Sequence, residues 1–278
     1  MEITGPWDPN MDVLLNHLAK IGTELEKGID KMPQGAVRDA AWALYSNLSA
    51  VSCTLYKICK DTSTRCSSQA AGSLFRTIID SSISVFAFCR DPRNRAIMYL
   101  QFKFVLTFRY LDRAMKHIGC PLLPADRYDP EKVEIDQEVA RRDLWLYCAH
   151  FLTNKHKPPA GKKPEDFLKE AVENGSVRAH WFRNRWFPEE RLDVLKDEQM
   201  AWVYDVLYKG MCSCVHSDVW ASMPWAGRKR PSPAMLALQF WGASVLRLSE
   251  ALGVVLPPND TKLLKDQFYK PLQWTPAK

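Results

Sequence analysis

Residues 73–89 read SLFRTIIDSSISVFAFC, and this stretch decides the fold. Phe75, Ile78, Ile79, Phe86 and Cys89 recur at helical spacing, and Leu74, Ile83, Val85 and Phe88 widen the stripe. An apolar stripe this wide belongs to a helix inside a core rather than to one lying on a surface. The remaining face is Ser73, Arg76, Thr77, Asp80, Ser81 and Ser84. A solvated face would carry Lys and Glu, so short hydroxyls around one Arg and one Asp point to a seam that meets other protein. Arg76 and Asp80 stand one turn apart and can pair, and a charged pair inside a bundle is costly unless further hydrogen bonds hold it.

Outward from this helix the chain reads as helix after helix, with almost no period-two runs of Val, Ile and Thr. The expected class is all-α, a multi-helix bundle built around a central antiparallel helix hairpin. The first helix, about 8–27, turns Val13, Leu14, His17, Leu18, Ile21 and Leu25 inward, and the second runs over about 33–60. Asp91 and Pro92 restart helix directly after the central one, and the short link predicts the hairpin. In that next helix Met98, Phe102, Val105, Leu106, Tyr110 and Met115 are expected to face inward. Further helices are read at about 131–153, 164–174, 197–217 and 233–252, with a short one at the C-terminus. The expected organisation is one domain over 1–278, with 33–222 as its core and the helices of 231–278 packed on it.

The 278 residues are 46% hydrophobic, enough for a substantial core. Lys and Arg number 38 against 32 Asp and Glu, and the resulting +6 permits an anionic partner without requiring one. Arg76, Asp80, Lys103 and Arg109 interrupt the apolar runs, and MEITGPWDPN lacks the basic start and apolar run of a signal peptide, so no membrane partner and a cytoplasmic location are expected. Cys53, Cys59, Cys89, Cys148, Cys212 and Cys214 sit among apolar helical residues, as small core side chains do in a reducing compartment. Cys212, Cys214 and His216 form C-x-C-x-H, but residues two apart on a helix point in different directions, so neither a metal nor another cofactor is expected. The 12 glycines form no phosphate-cradling loop.

Two constellations could carry chemistry. Beside the core stripe of the 197–217 helix, Tyr204, Tyr208, Cys212 and His216 follow at steps of four, with Ser213 near His216. If this face meets the seam, His216 could act as a general base beside Tyr208 and Ser213, with Asp80 as a carboxylate partner and Arg76 holding an anionic group. The structural alternative is a buried hydrogen-bond network that fixes helix register. The second constellation is SVRAHWFRNRWF, in which Arg178, His180, Trp181, Arg183 and Arg185 combine rings that stack bases with cations that meet phosphates. Its structural alternative is tryptophan packing with Arg laid over the rings. Ser213, His216 and Asp218 do not make a hydrolase triad, because all three lie within two turns of one helix end with no nucleophile elbow.

LFRTIID, an Arg followed four residues later by an acid, and YKGMCSCVHSD, a Tyr followed by Ser-x-x-His, resemble a widespread bacterial family of all-helical domains of unknown function. The likeness covers about 33–222 and includes AHWFRNRW; Asp80 stands where the pattern has Glu. That family is similar in plan to the helical higher-eukaryote-and-prokaryote nucleotide-binding (HEPN) domains, many of them ribonucleases of toxin and phage-defence systems. The resemblance implies an RNA- or nucleotide-directed module and, in its finer form, a metal-independent ribonuclease of toxin or phage-defence type. The chain departs from the usual Arg-to-His spacing, since Arg113 precedes His117 with three residues between and Arg178 is closer still to His180. An acting pair would therefore be Arg76 and His216, brought together from different helices. The other reading is a non-catalytic interaction or scaffold module, and a homodimer is an expected partner state in either case.

Overall fold

The computed structural model describes residues 9–60, 68–115, 130–148, 188–208 and 233–273. Among these residues the chain is all-α, with eight α-helices and no strand. They are α1 (Pro9–Asp30), α2 (Ala36–Lys60), α3 (Ser68–Cys89), α4 (Pro92–Met115), α5 (Pro130–Cys148), α6 (Pro188–Asp197), α7 (Pro233–Leu252) and α8 (Pro258–Leu263). A π-helix spans Val203–Tyr208, and another, Leu264–Tyr269, continues α8. The helices fall into two compact units, one formed by 1–96 with 188–278 and the other by 97–187.

In the first unit α3 packs chiefly against α7 and α2. Phe75, Ile78, Ile79, Ile83, Val85, Phe86 and Phe88 are buried, as the stripe predicts. The Phe75 ring meets the Phe240 ring of α7 at 6.1 Å and a 60° tilt, a favourable edge-to-face geometry. The window Gly72–Cys89 is long and apolar enough to cross a membrane by length and composition, but 61% of it is buried inside the protein, where the neighbouring helices take up its apolar side chains.

α1 differs in phase from its reading. Met11, Leu18, Ile21, Leu25 and Ile29 face the core, whereas Val13 is exposed and His17 turns outward to Asp260 of α8, 3.1 Å away. α7 is buried on nearly every side, because α1, α2, α3 and the C-terminal π-helix all pack on it. At Gly242 a Cβ would lie 2.4 Å from Cγ of Phe268, so only glycine lets that ring sit directly on the backbone of α7.

Two helices of this unit end in the same way. After α7, Val254 N–H donates to Ser249 C=O and Gly253 N–H to Glu250 C=O, with Gly253 in the left-handed region at φ 67°. After α6, Met200 N–H donates to Leu195 C=O and Gln199 N–H to Lys196 C=O, with Gln199 at φ 58°. Both are Schellman closures, but the second places a side chain where glycine is favoured. Gln199→Gly is therefore expected to raise unfolding stability by about 0.5–1 kcal/mol, read as a higher urea midpoint with an unchanged slope.

Burial also raises the phenol of Tyr45, a core residue of α2, well above its ordinary range, and burial and Glu198 do the same for Tyr269. A phenol with a folded-state pKa above its unfolded value of 10.0 keeps its proton longer in the folded state. Stability contributed by these groups is full below about pH 10 and declines as pH rises further, because the unfolded chain then releases protons that the folded one retains. Alkaline melts are expected to show this decline, and Tyr269→Phe is expected to flatten it.

In the second unit, Phe102, Val105 and Phe108 of α4 and Gln137 and Ala140 of α5 are buried. Leu106 and Tyr110, expected to face inward, are more than half exposed, and Val139 of α5 is exposed as well. α4 carries apolar residues all round its circumference, so the period alone leaves its phase undetermined.

Candidate functional site

The polar face of α3 forms as the sequence spacing predicts, and its hydroxyls are largely satisfied close to home. Thr77 donates to Ser73 C=O and Ser84 to Asp80 C=O, both at 3.1 Å, while Asn47 of α2 donates through Nδ2 to Ser81 Oγ at 3.2 Å. Short hydroxyls suit this face because they close on backbone carbonyls and leave room for α2. Arg76 and Asp80 do approach each other, with Nε 4.0 Å from Oδ2.

The residue that sequence reasoning missed is Arg191. Its Nε lies 3.0 Å from Asp80 Oδ1, so two guanidiniums converge on one carboxylate. Arg191 rides on α6, which begins at Pro188 and has Glu189 and Glu190 in its first turn, the residue types that favour a helix start. Those residues were the available signal. α6 is held on α3 by Arg90, which donates through Nη2 to Asp193 C=O at 3.0 Å and pairs with Asp197. The three side chains are not sealed: Arg76 is 23%, Asp80 33% and Arg191 21% exposed.

The remaining proposed site residues are not all placed. His216 and Ser213 lie outside the described residues, as do Arg178, His180, Trp181, Arg183 and Arg185. The backbone of Tyr208 closes the π-helix Val203–Tyr208. The wider winding there departs from the regular α-helix on which steps of four were read, and Tyr204 is buried together with Val203 and Leu207 rather than standing beside the core stripe. The helix expected over about 197–217 is instead interrupted at Gln199, and the chain resumes as helix at Ala201.

A second polar cluster lies behind α6. Glu198 is 3% exposed and meets Arg247 through Nε and Nη2, each at 3.1 Å, while Tyr269 O–H donates to it at 2.6 Å. Arg247 also reaches Glu250 at 2.9 Å. Burial pushes the nearby Cys89 thiol, and that of Cys53, above the ordinary range, so neither is a reactive thiolate at neutral pH. Among the described residues no three His, Cys, Asp or Glu side chains converge as metal ligands do. In the second unit a cleft of about 410 Å³ is lined by Lys103, Phe104, Tyr110, Asp136, Val139 and Asp143, among others.

The arrangement on α3 brings two guanidiniums to one carboxylate, with all three side chains partly exposed. No curated protein and no solved structure matches the chain. Nothing ties it to the HEPN domains, and that likeness rests on its residues alone. Residues 50–226, which include α3 and α6, match the family model DUF5677, a family of unknown function, and the chain belongs to that family.

Proposed function

We propose that the chain is an RNA-directed helical module whose phosphate contact is the arginine seam of α3. The observation that carries this reading is that two guanidiniums, Arg76 and Arg191, stand at one carboxylate, with all three side chains partly open to water. Guanidinium is the side chain best shaped to meet a phosphodiester, and the net charge of +6 favours such a partner. Arg178, His180, Trp181, Arg183 and Arg185 would add stacking and further phosphate contacts.

In its finer form the proposal is a metal-independent ribonuclease: His216 is the base, Arg76 steadies the phosphate, and Tyr208 and Ser213 orient the substrate. His216→Ala is expected to abolish cleavage of a labelled single-stranded RNA while the melting temperature stays unchanged. Arg76→Ala is expected to weaken RNA binding about tenfold yet cost only about 1 kcal/mol of stability, because Arg191 still pairs with Asp80. A buried carboxylate left alone would cost about 3–5 kcal/mol. Wild-type protein that binds RNA without cutting it removes the ribonuclease assignment, and wild-type protein that does not bind RNA removes the whole reading.

Exposed Leu106, Tyr110, Ile135 and Val139 in the second unit favour a second reading, a protein-interaction module that pairs with its own copy. Sedimentation of wild type and Leu106→Glu tests it, since a dimer formed through this face should dissociate in the variant.

A further inference from the structure

Between α7 and α8, residues 254–257 form no helix, and their side chains alternate as those of an extended chain do. Val254 is half-buried, Val255 is 94% exposed and Leu256 is buried. Both ends of the stretch are tied: Val254 N–H donates to Ser249 C=O, and Pro257 C=O accepts from Thr261 N–H, each at 2.9 Å. Gly28 of α1 has no Cβ, and Val254 occupies the space that one would take, which seats the stretch on the end of α1. Between these ties, the backbone N–H and C=O groups of Val255 and Leu256 make no hydrogen bond among the described residues. A fixed extended stretch with unpaired main-chain groups is an edge on which another extended chain can pair.

The edge borders an open groove of about 550 Å³, whose lining includes Met32, Leu252, Lys27 and Lys31. Lys27 pairs with Glu24 at 2.8 Å, whereas Lys31 has no carboxylate partner among the described residues. We infer that this groove docks an extended segment of a partner protein in which apolar and acidic side chains alternate. Its main chain pairs with Val255 and Leu256, its apolar side chains lie against Val255 and Met32, and a carboxylate meets Lys31. A nucleic-acid phosphate would use Lys31 but leave the apolar lining and the open main chain without a counterpart. A second copy seated two-fold on the same edge would bring the lysines of both copies together, and like charges oppose that occupant. The groove shares no residue with the arginine seam of α3, and nothing in it depends on the RNA-directed reading.

The test is selection of a displayed library of random short linear peptides on the 278-residue chain, followed by fluorescence anisotropy of the enriched peptides and by amide hydrogen exchange with and without them. The enriched peptides are expected to alternate apolar residues with Asp or Glu, and to slow exchange at the amides of Val255 and Leu256. Val255→Asp is expected to weaken their binding about tenfold and Lys31→Glu about fivefold. Lys20→Glu makes the same charge change about three turns away on α1 and should leave binding within about twofold of wild type. All three side chains are exposed, so the melting temperature followed by circular dichroism should not move. No enriched peptide, enrichment without acidic residues, unchanged binding by Val255→Asp, or no slowing of exchange at Val255 and Leu256 overturns the inference. Binding of labelled single-stranded RNA that Lys31→Glu abolishes, with no peptide selected, assigns the lysine to phosphate. A dimer that Val255→Asp dissociates in sedimentation, again with no peptide selected, assigns the edge to a second copy. Either result overturns the inference as well.

Discussion

Replacing Trp241 by alanine is expected to lower unfolding stability by about 3–5 kcal/mol, a large share of the about 5–15 kcal/mol that holds a typical domain together. Trp241 is 2% exposed and lies on α7 at the point where that helix meets α1 and α2. A Cβ at Gly22 of α1 would lie 2.2 Å from the Tyr45 hydroxyl and 3.9 Å from Cζ2 of Trp241, so glycine allows the three helices to close there. Truncating the indole opens a cavity that the surrounding helices cannot fill, because each is fixed by other contacts. Urea unfolding measures the loss. Trp241→Phe keeps most of the volume and should cost about 1–2 kcal/mol; equal and small losses in both variants would remove α7 from the centre of the bundle.

The second large effect is expected at Glu198. Glu198→Ala should cost about 3–5 kcal/mol, since it strips a nearly sealed carboxylate from Arg247 and Tyr269. Arg247 is 31% exposed and retains Glu250, which places the expected loss at the lower end of that range. Glu198→Gln should cost less, because the amide oxygen still accepts a hydrogen bond. A double-mutant cycle with Tyr269→Phe is expected to show coupling of about 1–3 kcal/mol, and additive losses would mean that the three groups do not act as a unit. The cluster ties the turn after α6 to α7 and to the C-terminal π-helix, so it also steadies the helix that carries Arg191.

The contrast between two helix ends shows what was legible. α7 is read from sequence as 233–252 and found there, because Pro233 marks its start and Gly253 its left-handed stop. α6 closes with the same hydrogen bonds, but Gln199 occupies the left-handed position, and glutamine carries no signal for a stop. The sequence reading therefore starts its helix near Asp197 and misses both α6 and the arginine on it. α4 fails differently: it has apolar residues on every side, and Leu106 and Tyr110 fit an inward stripe as well as Phe102 and Phe108 do.

The same division runs through the candidate site. The Arg76 and Asp80 pair follows from one turn of helix, and the family likeness of residues around it follows from motifs that the family match to 50–226 covers. Arg191 does not follow from either, because its meeting with Asp80 depends on how α6 docks on α3.

By itself the sequence determined the all-α class, the buried stripe of α3, the bounds of α7 and the one-turn pairing on the polar face, since each depends on residues a few positions apart and on the fixed period of the helix. Only the tertiary structure decided that α7 and α2 cover α3, that Asp80 turns toward Arg191, and that Glu198 joins Arg247 and Tyr269. Those contacts join residues far apart in the chain, and they are set by side-chain volume and charge at the packed surfaces, which no local period records.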